Sequence, residues 1–229
     1  MSKKKKESAP EQFETVENVL SKSEKFIENN QKLLTTIILI IVVLVAGYLA
    51  FNRYYLKPME NEAQGQMFRA EQYFAQDSFN LALNGDGNYL GFLDIIDEYG
   101  ITKSANLAHY YAGISYLKSE QYNQAIDYLE DFKTKNEILK PVKLGAIGDA
   151  YLELGENDKA IKYYGRAMKE DNQFTTPLFM SKLAFVHELN QDYDKAIEIY
   201  EEIKLKYPDS NQQEEADKSI ARLSVLSEK

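Results

Sequence analysis

His109 and His187 are the only imidazoles in a chain of 229 residues that has 17 tyrosines and no cysteine. An imidazole could act as a general base or a metal ligand, but either role needs a second His, a Cys or a carboxylate cluster at ligand spacing. Neither histidine has such company in the sequence. There is no phosphate-cradling glycine loop, no Gly-x-Ser-x-Gly elbow and no His-Glu-x-x-His pair. "NGDGN", Asn84 to Asn88, offers the single carboxylate of Asp86, too little for a calcium loop and enough for a turn. No catalytic residue, metal ligand or cofactor is assigned, and the chain is expected not to be an enzyme.

The tyrosines keep regular company instead. "GDAYLELGENDKAIKYYGRA", Gly148 to Ala167, has counterparts in "GISYLKSEQYNQAIDYLEDF" from Gly113 and "AFVHELNQDYDKAIEIYEEI" from Ala184. Gly113, Gly148 and Ala184 align, as do Ala125, Ala160 and Ala196, giving periods of 35 and 36 residues. A fixed period of this length marks a stack of helical hairpins. A small residue on a first helix lets the second approach, and a ring or Leu four residues after the second-helix Ala fills the space beside it. These residues are therefore read as packing. "LGEND" and "LNQDYD" supply turns, Asp158 and Asp194 are placed to help start second helices, and Pro141 and Pro177 stand at first-helix starts.

The pattern resembles the tetratricopeptide repeat (TPR) family, with periods beside the ~34 of those arrays. The second unit matches through Leu144, Ile147, Gly148, Tyr151, Ala160, Tyr164 and Ala167. The third supplies Met180, Leu183, Ala184, Ala196, Tyr200, Ile203 and Pro208, with His187 in place of Tyr. The first has Ala112, Gly113, Tyr116, Ala125, Leu129 and Phe132, with His109 at the large position and no closing Pro. Both histidines thus occupy packing positions. Gly91 and Ile95 read as a degenerate second helix one period earlier, its first helix running roughly from Glu60 to Ala75, with "DSFNLALNGDGN" inserted between. After Pro208 a capping helix is expected, with Ile220, Leu223 and Leu226 inward.

Upstream, Leu33 to Asn52, "LLTTIILIIVVLVAGYLAFN", has no ionisable side chain. Twenty helical residues reach about 30 Å, the hydrocarbon thickness of a bilayer. The run is longer than a signal-peptide core and lacks a small-x-small exit, so an uncleaved spanning helix is expected. Lys3 to Lys6, Lys22, Lys25 and Lys32 precede it, against Arg53 and Lys57 beyond, which places the N-terminus inside. Tyr48, Tyr54 and Tyr55 suit the outer interface, and Phe13, Val16, Val19, Leu20, Phe26 and Ile27 form an apolar stripe on the helix before the span. The lysine-rich start reads as a tail touching anionic lipid. The fold class is all-α, in five segments: 1–32, cytoplasmic tail and amphipathic helix; 33–52, transmembrane helix; 53–104, linker helix and degenerate repeat; 105–208, three TPR units; 209–229, capping helix.

The net charge is -9, and residues 53–229 carry 20 basic against 30 acidic side chains. That balance opposes nucleic-acid binding. The TPR resemblance implies a partner groove on the first helices, lined by Leu107, Tyr110, Ile114 and Leu117, by Asp149 and Leu152, and by Leu178, Phe185 and Leu189, with Gly145 leaving room. The Lys, Arg and Asn clamp of chaperone-tail-binding TPR modules is absent, so the groove suits an amphipathic or extended apolar segment. A guest protein, the capping helix or a second copy in a homo-oligomer could fill it.

One anchor, a cytoplasmic start and an acidic repeat array resemble the ancillary Sec-translocon subunit family of Gram-negative inner membranes. The resemblance implies a periplasmic TPR domain whose partners are Sec translocon subunits, a membrane-anchored peptidyl-prolyl-isomerase-type chaperone or exported clients. A structural scaffold for an envelope or division complex, or an organellar import receptor with cytosolic repeats, has the same architecture.

Overall fold

The computed structural model describes residues 10–169 and 171–227, with side chains from Glu24 onward. The lysine tail and the side chains of Phe13, Val16, Val19 and Leu20 lie outside the described ones. Every element is helical, and no strand occurs among the described residues. The chain divides into two compact units, residues 1–57 and 58–229.

In the first unit α1 spans Pro10–Phe51, and a π-helical turn follows at Asn52–Leu56. Its apolar stretch is the one segment of the described residues long and apolar enough to cross a membrane, with a mean hydropathy of 2.8 and no residue of that window buried. Thr35 and Thr36 donate their hydroxyls to the carbonyls of Gln31 and Lys32 at 2.7 and 2.8 Å. Such i–4 bonds leave no unsatisfied hydroxyl for an apolar surrounding.

The second unit opens with α2 (Lys57–Ala75), then the short α3 (Phe79–Asn84) and α4 (Phe92–Glu98). The insertion therefore holds a helix of its own, and Gly91 sits at the N-cap of α4 rather than inside it. A Cβ on Gly91 would lie 2.1 Å from the carbonyl oxygen of Leu83, so the small residue serves loop closure there. Met67, Leu83, Phe92 and Ile95 are buried with the alanines of α5 as one core. Across this joint Glu60 of α2 accepts from the backbone N–H of Lys103 and the hydroxyl of Ser104, both at 2.7 Å, which satisfies free donors at the start of α5.

Three hairpins follow: α5 (Lys103–Lys118) with α6 (Tyr122–Asp131), α7 (Leu139–Glu153) with α8 (Asn157–Ala167), and α9 (Thr176–Leu189) with α10 (Tyr193–Lys206). Within them small residues meet large ones as the spacing predicts. A Cβ on Gly113 would stand 2.5 Å from Cγ of Leu129, and one on Gly148 2.7 Å from Cε1 of Tyr164. In the third hairpin Ala184, Ala196 and Tyr200 are buried in one cluster. Ala125, Ala160, Tyr164 and Ala196 are buried, Tyr116 and Tyr151 partly so, and Pro208 is exposed just beyond the end of α10.

Each hairpin turns through the same backbone device. Glu120, Gly155 and Gln191 follow the aligned small residue by seven positions, and their φ angles are 61, 74 and 63°. Across them the N–H groups of Gln121, Glu156 and Asp192 donate to the carbonyls of Tyr116, Tyr151 and His187 at 2.9, 2.9 and 2.8 Å. This is a Schellman closure with one left-handed residue. Asp158 and Asp194 lie in the first turns of α8 and α10, and the N-cap residues Glu156 and Asp192 make no side-chain capping bond. Their contribution is one of charge at a positive helix end. The last helix, α11 (Gln213–Ser227), buries Leu223 and Ala216 against α10 with Ile220 beside them, whereas Leu226 is exposed and not inward.

Candidate functional site: a partner-binding groove

The first helices α5, α7 and α9 line one side of a cavity of about 540 Å³. Leu117 comes from α5, Asp149 and Leu152 from α7, and Leu178, Lys182 and Phe185 from α9. Repetition brings them together, because equivalent positions on successive first helices stack along one face. Tyr122 and Tyr164 reach in from second helices, and Gln212 and Glu215 close one end. Phe185 is 48% exposed, an unusual state for a large ring in a concave wall.

The lining is mixed, with Lys118, Glu153, Ser181, Gln212 and Glu215 beside the apolar side chains, and one ion pair crosses it. Lys182 Nζ lies 2.6 and 2.7 Å from the two carboxylate oxygens of Asp149, and the hydroxyl of Tyr164 donates to Asp149 Oδ1 at 2.7 Å. Burial, then the Asp149 charge and hydrogen bond, raise the Tyr164 pKa, so this hydroxyl remains a donor throughout the physiological range. The side chains of Asp149 and Lys182 are 30% and 36% exposed, so the pair is partly solvated. It fixes α9 against α7 and leaves a hydrogen-bonding spot among leucines.

Five of the nine residues expected to line a groove, Leu117, Asp149, Leu152, Leu178 and Phe185, share this cavity. The other four do not. Tyr110 and Ile114 pack with Ile126, Leu129 and Ile147 between α5, α6 and α7, and Leu107 packs on the α2–α5 core. Leu189 is 52% exposed, one turn beyond Phe185 and outside the lining. Gly145 leaves no open room: a Cβ there would lie 1.9 Å from Cε1 of Phe179, whose ring occupies the space. Lys182, Tyr122 and Glu215 were not legible as groove residues. Lys182 could have been found by noting that it follows Asp149 by 33 residues, close to one repeat.

Neither histidine joins this site. His187 Nδ1 is 3.4 Å from Asp192 Oδ2 at the α9–α10 turn. His109 tilts against the Tyr128 ring at 5.8 Å, and burial lowers its pKa. No group of three or more His, Cys, Asp or Glu side chains suited to a metal ion occurs among the described residues. Asp86 accepts from the Tyr73 hydroxyl at 2.7 Å and from the N–H groups of Asn88 and Tyr89 at 2.9 and 2.8 Å, so it organises its own turn.

Tetratricopeptide-repeat sequence profiles match residues 107–136, 144–176 and 180–210, one match on each hairpin. The chain is a TPR-repeat protein with an all-helical, TPR-like fold. A solved structure with the same fold is that of a Podosopora anserina protein described as a kinesin light chain with nearly identical TPR-like repeats. It is 15% identical and superposes with a TM-score of 0.56 over 72% of this chain and 85% of that one. No curated protein matches the sequence significantly. The repeats imply a protein-interaction scaffold.

Proposed function

We propose that this chain is a membrane-anchored adaptor that captures an apolar segment of a partner polypeptide in the groove of its TPR domain. The observation that carries the reading is the open wall of Leu152, Leu178 and Phe185 around the Asp149–Lys182 pair. An apolar guest side chain gains by leaving water at about 25 cal/mol per Å² buried, and the ion pair can orient the guest backbone. The inward apolar residues of α11 pack on α10, and α11 meets the groove through Glu215, so the apolar wall is available to a guest.

Residues 33–52 hold the adaptor in a bacterial inner membrane. The lysines ahead of the span keep the N-terminus cytoplasmic and put the repeats in the periplasm. There the tether raises the local concentration of the groove beside a membrane machine. An acidic, anchored array of this size suits the Sec translocon, where it would hand emerging clients to a membrane-anchored peptidyl-prolyl-isomerase-type chaperone.

A photo-crosslinking residue at Phe185 in living cells, followed by gentle detergent purification and mass spectrometry, tests this. Adducts with translocon subunits, such a chaperone or exported proteins are expected. Adducts confined to the chain itself would overturn the adaptor role. Protease added to spheroplasts should remove the repeats, and full protection would reverse the assigned topology.

A further inference from the structure

A second cavity, of about 440 Å³, lies at the α6–α7 connection, away from the groove residues. Its lining includes Lys133, Lys135, Lys140, Lys143 and Arg166 over an apolar floor of Phe132 and Leu144. This concentration of positive charge stands in a protein of net charge -9. Several lysines elsewhere pair with carboxylates, as Lys159 does with Glu156, Lys206 with Glu202 and Lys218 with Glu214, while scattered ones such as Lys118 and Lys162 do not. Among the described residues Lys133, Lys135, Lys143 and Arg166 form no such pair.

Two of these cations are held close together. The ammonium groups of Lys133 and Lys143 donate to the same carbonyl, that of Glu130, at 3.0 and 3.1 Å, and Lys143 also donates to the carbonyl of Phe132 at 2.7 Å. Capping the end of α6 accounts for Lys143. It does not account for Lys135 or Arg166. Of the two carboxylates that act on Lys143, Glu130 and Asp131, Glu130 accepts from the Tyr163 hydroxyl at 2.6 Å, and the Arg166 guanidinium lies over the Tyr163 ring at 4.7 Å. Each ammonium carries three donors, so both anchored lysines keep hydrogen-bonding capacity. Burial, then the neighbouring Lys133 and Arg166, lower the Lys143 pKa against the opposing pull of Glu130 and Asp131, so positive charge prevails around this ammonium.

We infer that this cleft binds a compact polyvalent oxyanion of the phosphate class, such as the diphosphate group of a small molecule. One carboxylate would satisfy one or two of the cations. An acidic peptide would need a stripe of basic residues rather than a single concave cluster. A diphosphate gathers several charges and many acceptor atoms in a volume this size, and a guanidinium fork suits its oxygens.

Calorimetric titration of the full chain in nonionic detergent with inorganic pyrophosphate tests the site. Saturable binding is expected, weaker at high salt and at least about tenfold weaker in a Lys135→Gln/Arg166→Gln double variant with an unchanged melting temperature. Neither side chain makes a capping bond, and because Arg166 stacks on Tyr163 the unchanged melting temperature is the control that its loss spares the fold. Absence of saturable heat, equal binding by the double variant, or equal binding of citrate would each overturn the assignment.

Discussion

The ring of Phe179 on α9 fills the space where Gly145 on α7 lacks a side chain, so close that a Cβ on Gly145 would stand 1.9 Å from Cε1. Phe179 is 3% exposed and lies near the Tyr164 ring, at 6.4 Å between centroids, so it has nowhere to swing. Gly145→Ala should therefore cost about 1–3 kcal/mol by overpacking. Gly165 on α8 has nothing within 4 Å of such a Cβ. Gly165→Ala should stabilise by up to about 1 kcal/mol through helix entropy. Thermal unfolding followed by circular dichroism should move in opposite directions for the two variants, and a tolerated Gly145→Ala would contradict the packing described.

The repeated left-handed turn residue gives a second pair of opposed signs. Gly155 meets the steric demand of φ 74° without a side chain, whereas Gln191 adopts φ 63° with one. A left-handed conformation costs a residue with a Cβ about 1–2 kcal/mol. Gly155→Ala, with open space around its Cβ, should destabilise by roughly that amount. Gln191→Gly should stabilise, by less because glycine loses more entropy on folding. Equal urea midpoints for both variants and the parent would show that the turns do not hold these angles in solution.

Glu188 ties the last three helices together. Its side chain is 9% exposed, and it accepts from the Tyr200 hydroxyl at 2.9 Å and from Arg222 Nη2 at 2.6 Å. Glu188→Ala removes the carboxylate partner of a buried hydroxyl and should cost about 2 kcal/mol. Arg222→Ala removes only the exposed partner and should cost less than about 1 kcal/mol. Hydrogen exchange in α11 should accelerate strongly in the first variant and weakly in the second. Unchanged exchange in both variants would mean that α11 is held by its apolar contacts alone, and the reverse order that Arg222 and not the Tyr200 bond dominates.

The repeat was legible because its signal is periodic: Gly113, Gly148 and Ala184 recur at one spacing, and the same contact is made three times in space. What recurs once was harder to read. Phe179 filling the void at Gly145 depends on the register between neighbouring hairpins, which no single repeat encodes. Tyr110 and Ile114 share a face with Leu117, yet the bulk of α6 and α7 covers them and leaves Leu117 at the cavity edge. Leu226 follows the apolar stripe of α11 but packs on no neighbouring core and stays exposed. Lys182 carried no motif, and only its partner across the groove gives it meaning. The left-handed angles at Glu120 and Gln191 were hidden for the opposite reason: the turn geometry is shared while the residue type is not.

Tyrosine ionisation should set the alkaline limit of the fold. Burial, followed by the hydrogen bond to Glu130, pushes Tyr163 up to about 12, and burial with the hydrogen bond to Asp171 pushes Tyr207 to about 12. Tyr164 and Tyr200 are raised by burial and by the carboxylates of Asp149 and Glu188. In the unfolded chain a tyrosine titrates near 10. Between about pH 10 and 12 the folded state keeps protons that the unfolded state releases, so stability declines across that window and is undiminished by these groups below it. The urea midpoint should fall as pH rises from about 10 to about 12. Tyr207→Phe should flatten part of that slope, because the variant has no proton to lose there. Tyrosinate absorbance should lag behind that of the denatured chain over the same range. Coincident native and denatured absorbance curves, with the helical signal intact, would show that these hydroxyls are not held by their carboxylates.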